Sequence, residues 1–549
     1  MNFSQLPLSG GYIGIERETL RCDQNAMLAN TPHPNQLGNV YTHPNITIDY
    51  AESLLELVTD AHLSPSAVYA QLLHLHQYTA QHLENNQQLW AASMPCRLPE
   101  KSEEIEIGYF GQSNGGKIKR LYRLGLSHRY GRSMQMIAGV HFNYSPPEAL
   151  WEALAASEYS RVDQAYKNRR YMGMLRNLQR YGWLICHLFG ASPAVDKSFS
   201  PAHGVLQSFS KETLGWKNAT SLRMSQLGYQ NKVDFTVSFN RLEDYLSDLA
   251  EAVLTPAPAY EYLGLKDAQG EYQQISTHIL QIANEYYTAA RPKQPIKKGE
   301  LPVIALKGRG IAYVELRLLD NNPYDPCGIS LAQIHFLETF LLWALLTPAA
   351  EFTHRDYNEL NHNRLRTACC GLNGQQILYH QGEERSSQTW AEELLTQLLP
   401  IACALDEQVG GNAYENAIQK QIQANEGKIL RLPEQVQQEI ATTEYLEWAN
   451  ALSQQHQKVY QQALTPEVQQ SLDVLKTRSL KDFAAIEATA QTQAPFEHYL
   501  AHYFDSLKKE YLNQEKGEAL LDKYAKLGAD TPVTQDHEAS CGCGCQHQR

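Results

Sequence analysis

Glu16 and Glu18 lie one residue apart in Ile15-Glu16-Arg17-Glu18-Thr19-Leu20, and Asp49, Glu52 and Glu56 follow in Thr47-Ile48-Asp49-Tyr50-Ala51-Glu52-Ser53-Leu54-Leu55-Glu56. The first segment reads as a short strand, where side chains two apart share a face, so both glutamates point the same way. Asp49, Glu52 and Glu56 are spaced by three and then four residues, which predicts one face of a helix with Leu54, Leu55 and Leu57 on its core side. Two like charges about 6.5 Å apart repel by roughly 2–3 kcal/mol at an effective dielectric near 20. Carboxylates gathered this densely beside apolar residues therefore want protons, basic partners or metal ions. An all-oxygen ligand set favours magnesium or manganese over zinc. The alternative for any one of these residues is a solvated surface charge.

Two further strands carry polar residues on one face. Met136 to Ser145 alternates so that His141, Asn143 and Ser145 point together, and Ala312 to Asp320 sets Tyr313, Glu315 and Arg317 opposite Ala312, Val314, Leu316 and Leu318. Taken singly, His141 could be a satisfied core histidine and Glu315/Arg317 a cross-strand ion pair. Collected, several carboxylates and a histidine beside an arginine make a multi-metal site with an anion clamp. That set serves phosphoryl transfer, and two-metal hydrolysis is the competing use.

These residues must be positioned by a large scaffold. The chain of 549 residues is 43% hydrophobic, enough for one big domain or two to three ordinary ones. Its formal net charge of −13 argues against general affinity for nucleic acid or an anionic membrane and favours small-molecule chemistry. The N-terminal residues show no basic region followed by an apolar one, so no export signal is expected. The most apolar stretch, Phe336 to Leu346, is interrupted by Glu338 and too short to span a membrane; it reads as a buried helix. Of ten cysteines, seven fall at unrelated spacings, which fits reduced thiols in the cytoplasm. The others form Cys541-Gly542-Cys543-Gly544-Cys545, able to wrap a soft metal ion or close a labile disulfide, or simply an accessory tail.

Residues 64–90 read as a capped helix. Ser113-Asn114-Gly115-Gly116-Lys117 is a glycine-rich turn into a basic helix start, without Walker A spacing. Arg291 to Gly299 reads as a mobile, proline-containing basic loop. Strands with polar faces among helices, with no regular β-α alternation and no GxGxxG after a strand, predict an α+β fold around a mostly antiparallel sheet. We divide the chain into a catalytic core (1–390), a mainly helical region packed on it (391–527) and a disordered tail (528–549).

The segments Gly14-Ile15-Glu16-Arg17-Glu18-Thr19-Leu20-Arg21, Asp49 to Glu56, Tyr122-Arg123-Leu124-Gly125-Leu126 with Arg129-Tyr130-Gly131, and Gly139-Val140-His141-Phe142-Asn143 resemble the proteobacterial type of glutamate–cysteine ligase (γ-glutamylcysteine synthetase) family. So do Phe189 to Pro193, Thr220 to Tyr229, Asn284-Glu285-Tyr286-Tyr287 with Arg291-Pro292-Lys293, and Tyr313 to Arg317. The blocks run in the family's order from residue 14 to about 330, and the likeness continues more weakly to about 520.

The resemblance implies a cytoplasmic, monomeric enzyme that uses ATP to join the γ-carboxylate of L-glutamate to the amine of L-cysteine through γ-glutamyl phosphate, the first step of glutathione synthesis. It implies a glutamine-synthetase-like curved sheet forming a funnel surrounded by helices, more than one magnesium or manganese ion, and feedback binding of glutathione. By motif match, Glu16, Glu18, Asp49, Glu56, His141 and Glu315 correspond to the metal ligands, and Glu52 supports the helix or the groups around the ions. Arg317 corresponds to the contact with ATP's transferring phosphate, with Glu315 beside it in catalysis, and Arg223 to the arginine that grips glutamate. Tyr50, Tyr122, Arg123, Leu126, Gln135, Ile137, Tyr229 and Tyr287 resemble the walls of the cysteine pocket. A ligase with another amine acceptor, a two-metal phosphohydrolase and a sensor with a degenerate site are the rival readings.

Overall fold

The computed structural model describes residues 2–511 apart from 85, 298 and 375. The Cys541/Cys543/Cys545 segment and the rest of the expected tail lie outside the described residues.

Seven strands form the central sheet: β1 (Tyr12–Cys22), β2 (Ile46–Ile48), β3 (Leu54–Val58), β4 (Gln88–Leu89), β5 (Val140–Ser145), β6 (Ala290–Lys293) and β7 (Tyr313–Leu319). Their order is β2-β3-β1-β5-β7-β6, with β4 paired to the end of β1, and every pairing is antiparallel. The sheet is open, and the α+β, antiparallel expectation holds. Alternation along the strands separates two faces. Ile13 and Ile15 of β1, Val140, Phe142 and Tyr144 of β5, and Val314, Leu316 and Leu318 of β7 belong to one buried core. The residues between them face the other way.

Helices flank the sheet, and the second of them lines its polar side. Pro65–Gln81 (α1) starts where Ser64 accepts the Ala67 N–H, α2 is Asn114–Tyr130, α3 is Gln164–Tyr181, and α4 is Leu331–Leu346, started by a Ser330/Gln333 capping box. α4 is buried over nearly its whole length, as its mostly apolar run requires. Helices over 387–409, 413–425, 445–460, 466–488 and 496–511 follow. The third of these touches the sheet region directly: Tyr445 donates to the Met94 carbonyl at 2.6 Å and Tyr460 to that of Pro326 at 2.5 Å. Among the described residues no helix is long and apolar enough to cross a membrane.

Three local expectations change. Asp49, Glu52 and Glu56 do not share a helix. They lie on the β2–β3 hairpin, whose turn is closed by Asp49 N–H to Leu54 O and Leu54 N–H to Ala51 O, both 3.0 Å. β3 pairs with β1 from Leu54 to Val58, so alternation on a sheet, not helical spacing, orients Glu56. The helix expected over 64–90 ends at Gln81, followed by a turn through Asn86 in a left-handed conformation (φ 55°) and then by β4. The expected loop at Arg291 begins as β6. Pro292 is tolerated there because β6 is the edge strand, where a missing N–H costs the ladder nothing.

Candidate active site

The polar face of the sheet lines a cavity of about 440 Å³. Register explains its composition. Glu18 stands directly across from Glu56, Glu16 from His141, and Glu315 from both Asn143 and Arg291, while Tyr313 stands across from Lys293. Side chains paired across neighbouring strands share a face, so residues distant in sequence converge. Glu16, His141 and Glu315 have ligand atoms within 4.8 Å of one another, and Glu18, Asp49 and Glu56 line the same cavity.

The hydrogen bonds are specific. His141 Nδ1 lies 3.2 Å from Glu16 Oε2 and 3.7 Å from Glu315 Oε1, and its Nε2 is 3.7 Å from Glu18 Oε1. Glu18 Oε2 accepts the Gly139 N–H at 2.7 Å, and Glu16 Oε1 accepts from Asn143 Nδ2 at 2.9 Å. Arg317 Nη1 meets Glu315 Oε1 at 3.0 Å, and Lys293 Nζ meets its Oε2 at 3.3 Å. Glu315 is 1% exposed.

The carboxylates are not alike. Burial pushes Glu315 upward, but the charges of Lys293 and Arg317 outweigh it and hold this carboxyl well below the usual range. Burial raises Glu16 too, yet the hydrogen bond with His141 and the charge of Lys293 leave it lowered. Glu18 is raised by burial, with Asp49 adding to it. Glu56 is raised well above the ordinary value, first by burial and then by Glu16, Asp49 and Glu18. Away from Lys293 and Arg317 the carboxyls crowd one another, and Glu18 and Glu56 hold their protons more tightly than free glutamates. Oxygen donors with one imidazole fit a hard divalent cation.

Guanidiniums occupy other parts of the cavity wall. Arg223 is 4% exposed; its Nη2 donates to the Arg317 carbonyl at 3.2 Å, its Nη1 contacts Met224 Sδ at 3.3 Å, and its Nε has no partner among the described residues. Gly139 makes room for it, since a Cβ there would overlap the guanidinium. Asp320 accepts from Ala191 N and from the Ser192 and Ser221 hydroxyls, and Ser221 Oγ accepts the Met224 N–H, which fixes the turn that carries Arg223.

Tyr50, Tyr122, Arg123, Leu126, Gln135, Tyr229 and Tyr287 meet on a further wall. The Tyr229 and Tyr287 rings lie 5.2 Å apart, and Arg123 Nε donates to the Asp49 carbonyl. Ile137 does not line the cavity. It is fully buried behind Tyr229, whose hydroxyl donates to the Ile137 carbonyl at 2.8 Å. Glu52 is also outside: its carboxylate accepts His33 N–H at 2.7 Å and Tyr109 N–H at 2.6 Å, joining loops behind the hairpin. The glycine-rich turn does not offer a free helix N-terminus, because Glu487 accepts the Gln112 and Ser113 N–H groups and Gln493 accepts that of Asn114.

Several lining residues escaped the sequence reading. Lys293 was hidden in an expected loop, although Arg291 and Lys293 two apart around a proline carry an edge-strand signal. Asn143 shares the His141 face but lay outside the expected ligand set. Lys119, Arg364 and Tyr503 come from helices whose approach to the sheet no local pattern reveals.

Fold and cavity together define a protein of the mixed helix and antiparallel-sheet class with a cavity lined by clustered acids and several guanidiniums. A family model described as glutamate–cysteine ligase matches residues 2–367, and the chain belongs to that family. It is 40% identical over 509 residues to the glutamate–cysteine ligase of Alcanivorax borkumensis, covering 90% of this chain and 96% of that one. It is 39% identical over 502 residues to that of Hahella chejuensis, covering 90% and 95%. The crystal structure of glutamate–cysteine ligase from Francisella tularensis in complex with AMP is similar at a TM-score of 0.86 and 30% identity, over 93% of this chain and 100% of that chain. A bifunctional glutathione synthetase from Pasteurella multocida shares the fold at a TM-score of 0.63 and 23% identity, over 83% of this chain and 53% of that chain.

Proposed function

We propose that this chain catalyses the ATP-dependent ligation of the L-glutamate γ-carboxylate to the amine of L-cysteine, the first step of glutathione biosynthesis. The observation that carries the reading is the convergence of the Glu16–His141–Glu315 cluster, Arg317 and Arg223 on one cavity. In the reaction the γ-carboxylate oxygen attacks the γ-phosphorus of ATP, ADP leaves, and the cysteine amine then displaces phosphate from the acyl phosphate and loses a proton. Both steps bring anions together, which is the demand that the acid cluster answers through cations.

Glu16, Glu18, Asp49, Glu56, His141 and Glu315 are the set that would hold magnesium or manganese, as more than one ion. Bound there, the metal supplies positive charge opposite the phosphate oxygens. Arg317 stands beside that set with its charge secured by Glu315, so it can contact the transferring phosphoryl group without proton exchange. Arg223, with donors to spare and a fixed supporting turn, suits a bidentate grip on the substrate α-carboxylate. The Tyr122, Leu126, Gln135, Tyr229 and Tyr287 wall offers a small apolar pocket with polar edges, suited to a thiol-bearing amino acid.

The test is ADP release from ATP and magnesium with glutamate alone, cysteine alone, both or neither, the product being identified by mass spectrometry. ADP formation tied to γ-glutamylcysteine supports the reading. Equal ADP release without either amino acid would replace it with a hydrolase.

A further inference from the structure

We infer that Arg129, Glu285 and Gln281 form a positioning latch that sets the width of the amine-acceptor pocket by holding α2 against the segment 274–287. The inference rests on the pocket assignment given under the proposed function. α2 contributes Tyr122 and Leu126 to that pocket, and the segment contributes Tyr287. None of the three latch residues lines the cavity, so any influence on substrate passes through the walls they hold.

The latch is closed off from the surface. Arg129 Nη1 and Glu285 Oε1 are 3.0 Å apart, with both side chains 0% exposed. Tyr130 OH donates to the same oxygen at 2.9 Å, and the Gln281 N–H donates to Glu285 Oε2 at 2.8 Å. Arg129 Nη2 reaches the Ser276 carbonyl at 2.6 Å and Gln274 Oε1 at 3.0 Å. The Gln281 amide closes the circuit: its Oε1 accepts the Ile275 N–H at 3.0 Å and its Nε2 donates to the Tyr122 carbonyl at 3.2 Å. Every bond either crosses from α2 to the segment or stiffens one side. Replacing a buried ion pair by apolar residues often costs no stability, whereas its directional bonds fix one relative placement.

Gly125 shows how close that placement is. It occupies the interior of α2, where glycine is a poor helix former. A Cβ at this position would lie 2.6 Å from Gln281 Cδ and 2.7 Å from its Nε2, against an amide that its hydrogen bonds keep from swinging aside. Alanine at 125 must therefore push α2 and the segment apart, moving Tyr122 and Leu126 away from Tyr287.

The experiment compares the wild type, Gly125→Ala and Glu285→Gln, the last keeping the side chain's size while removing the charge that pairs with Arg129. Steady-state kinetics with cysteine, glutamate and ATP varied in turn are read alongside melting temperature. Gly125→Ala is expected to raise the cysteine KM about tenfold, with kcat and the glutamate and ATP KM values within about twofold, since small misplacements of positioning groups have large effects. Glu285→Gln, which loosens the same latch from the side of the segment, is expected to raise the cysteine KM with the same selectivity. An unchanged cysteine KM in either variant, or a parallel change in all constants, would overturn the latch. Formation of γ-glutamylcysteine by the wild type is the control: its failure falls on the functional reading, whereas failure of the latch appears only in the variants.

Discussion

Glu18 of β1 and Glu56 of β3 are direct cross-strand partners, a placement in which like charges oppose strand pairing. Apolar partners would pair better at this register, so the site keeps a local destabilisation that a cation bound between them would remove.

Glu56→Gln should therefore separate stability from function. Without metal the variant should melt higher than the wild type by about 2 °C, because one buried repulsion is gone. Added magnesium should raise its melting temperature less than it raises that of the wild type, and turnover should fall. The sign with pH follows from the raised carboxyl: the folded state holds its proton more tightly than the unfolded chain, so metal-free stability falls as pH rises above the ordinary glutamate range. Melting in EDTA and in a magnesium series checks this, and a magnesium response equal to that of the wild type would remove Glu56 from the ligand set.

Arg317→Lys preserves charge beside Glu315 but loses the planar fork. The folded protein should keep its melting temperature, while kcat falls by about 10²-fold. Comparable losses from Glu315→Gln would come from the other side of the pair, with weaker metal binding as well. Single-turnover measurement of glutamate-dependent ADP formation checks it; a kcat for Arg317→Lys close to the wild type would place the phosphoryl contact elsewhere.

Arg223→Ala should raise the glutamate KM about 10- to 100-fold, the range of a lost hydrogen bond to a charged group, with a much smaller effect on the KM for ATP. Gly139→Ala should mimic it in part, since a Cβ at 139 would overlap the guanidinium. An Arg223→Ala enzyme with an unchanged glutamate KM would mean that another cavity arginine, such as Arg291 or Arg364, holds the carboxylate.

What the sequence reveals about this site depends on whether the information is local. Glu16/Glu18, His141/Asn143 and Glu315/Arg317 are legible because a strand's alternation is written in consecutive residues, and the sheet brings these faces together. The buried helix at 331–346 is legible for the same reason. Asp49, Glu52 and Glu56 mislead because spacings of three and four also arise across a hairpin, and only pairing with β1, far away in sequence, decides between them. Glu52 then points to backbone N–H groups at 33 and 109 that no motif announces. Lys293 and Ile137 show the same limit in opposite directions: one joins the cavity through edge pairing, while the other is hidden beneath Tyr229 by tertiary packing.

Glu338 is a buried carboxyl outside the acid-lined cavity, and its titration is testable on its own. It is 1% exposed inside α4, accepts a 2.6 Å hydrogen bond from Tyr414 OH, and is pushed by burial up to about 7. The groups facing it are Tyr414, backed by His335, and Tyr144. Because the folded carboxyl titrates above the unfolded one, the folded state binds the extra proton between the two values. Stability is then lost as pH rises from about 4.5 to about 7 and stays lost above that, a difference of ~3 kcal/mol. Glu338→Gln keeps an acceptor for Tyr414 without a charge, so its stability advantage over the wild type should be larger at pH 8.5 than at pH 5, by several degrees in melting temperature. His335 titrates in both proteins and cancels in the comparison. A difference between variant and wild type that stays flat across that range would show that Glu338 is neutral throughout or ionises at no cost.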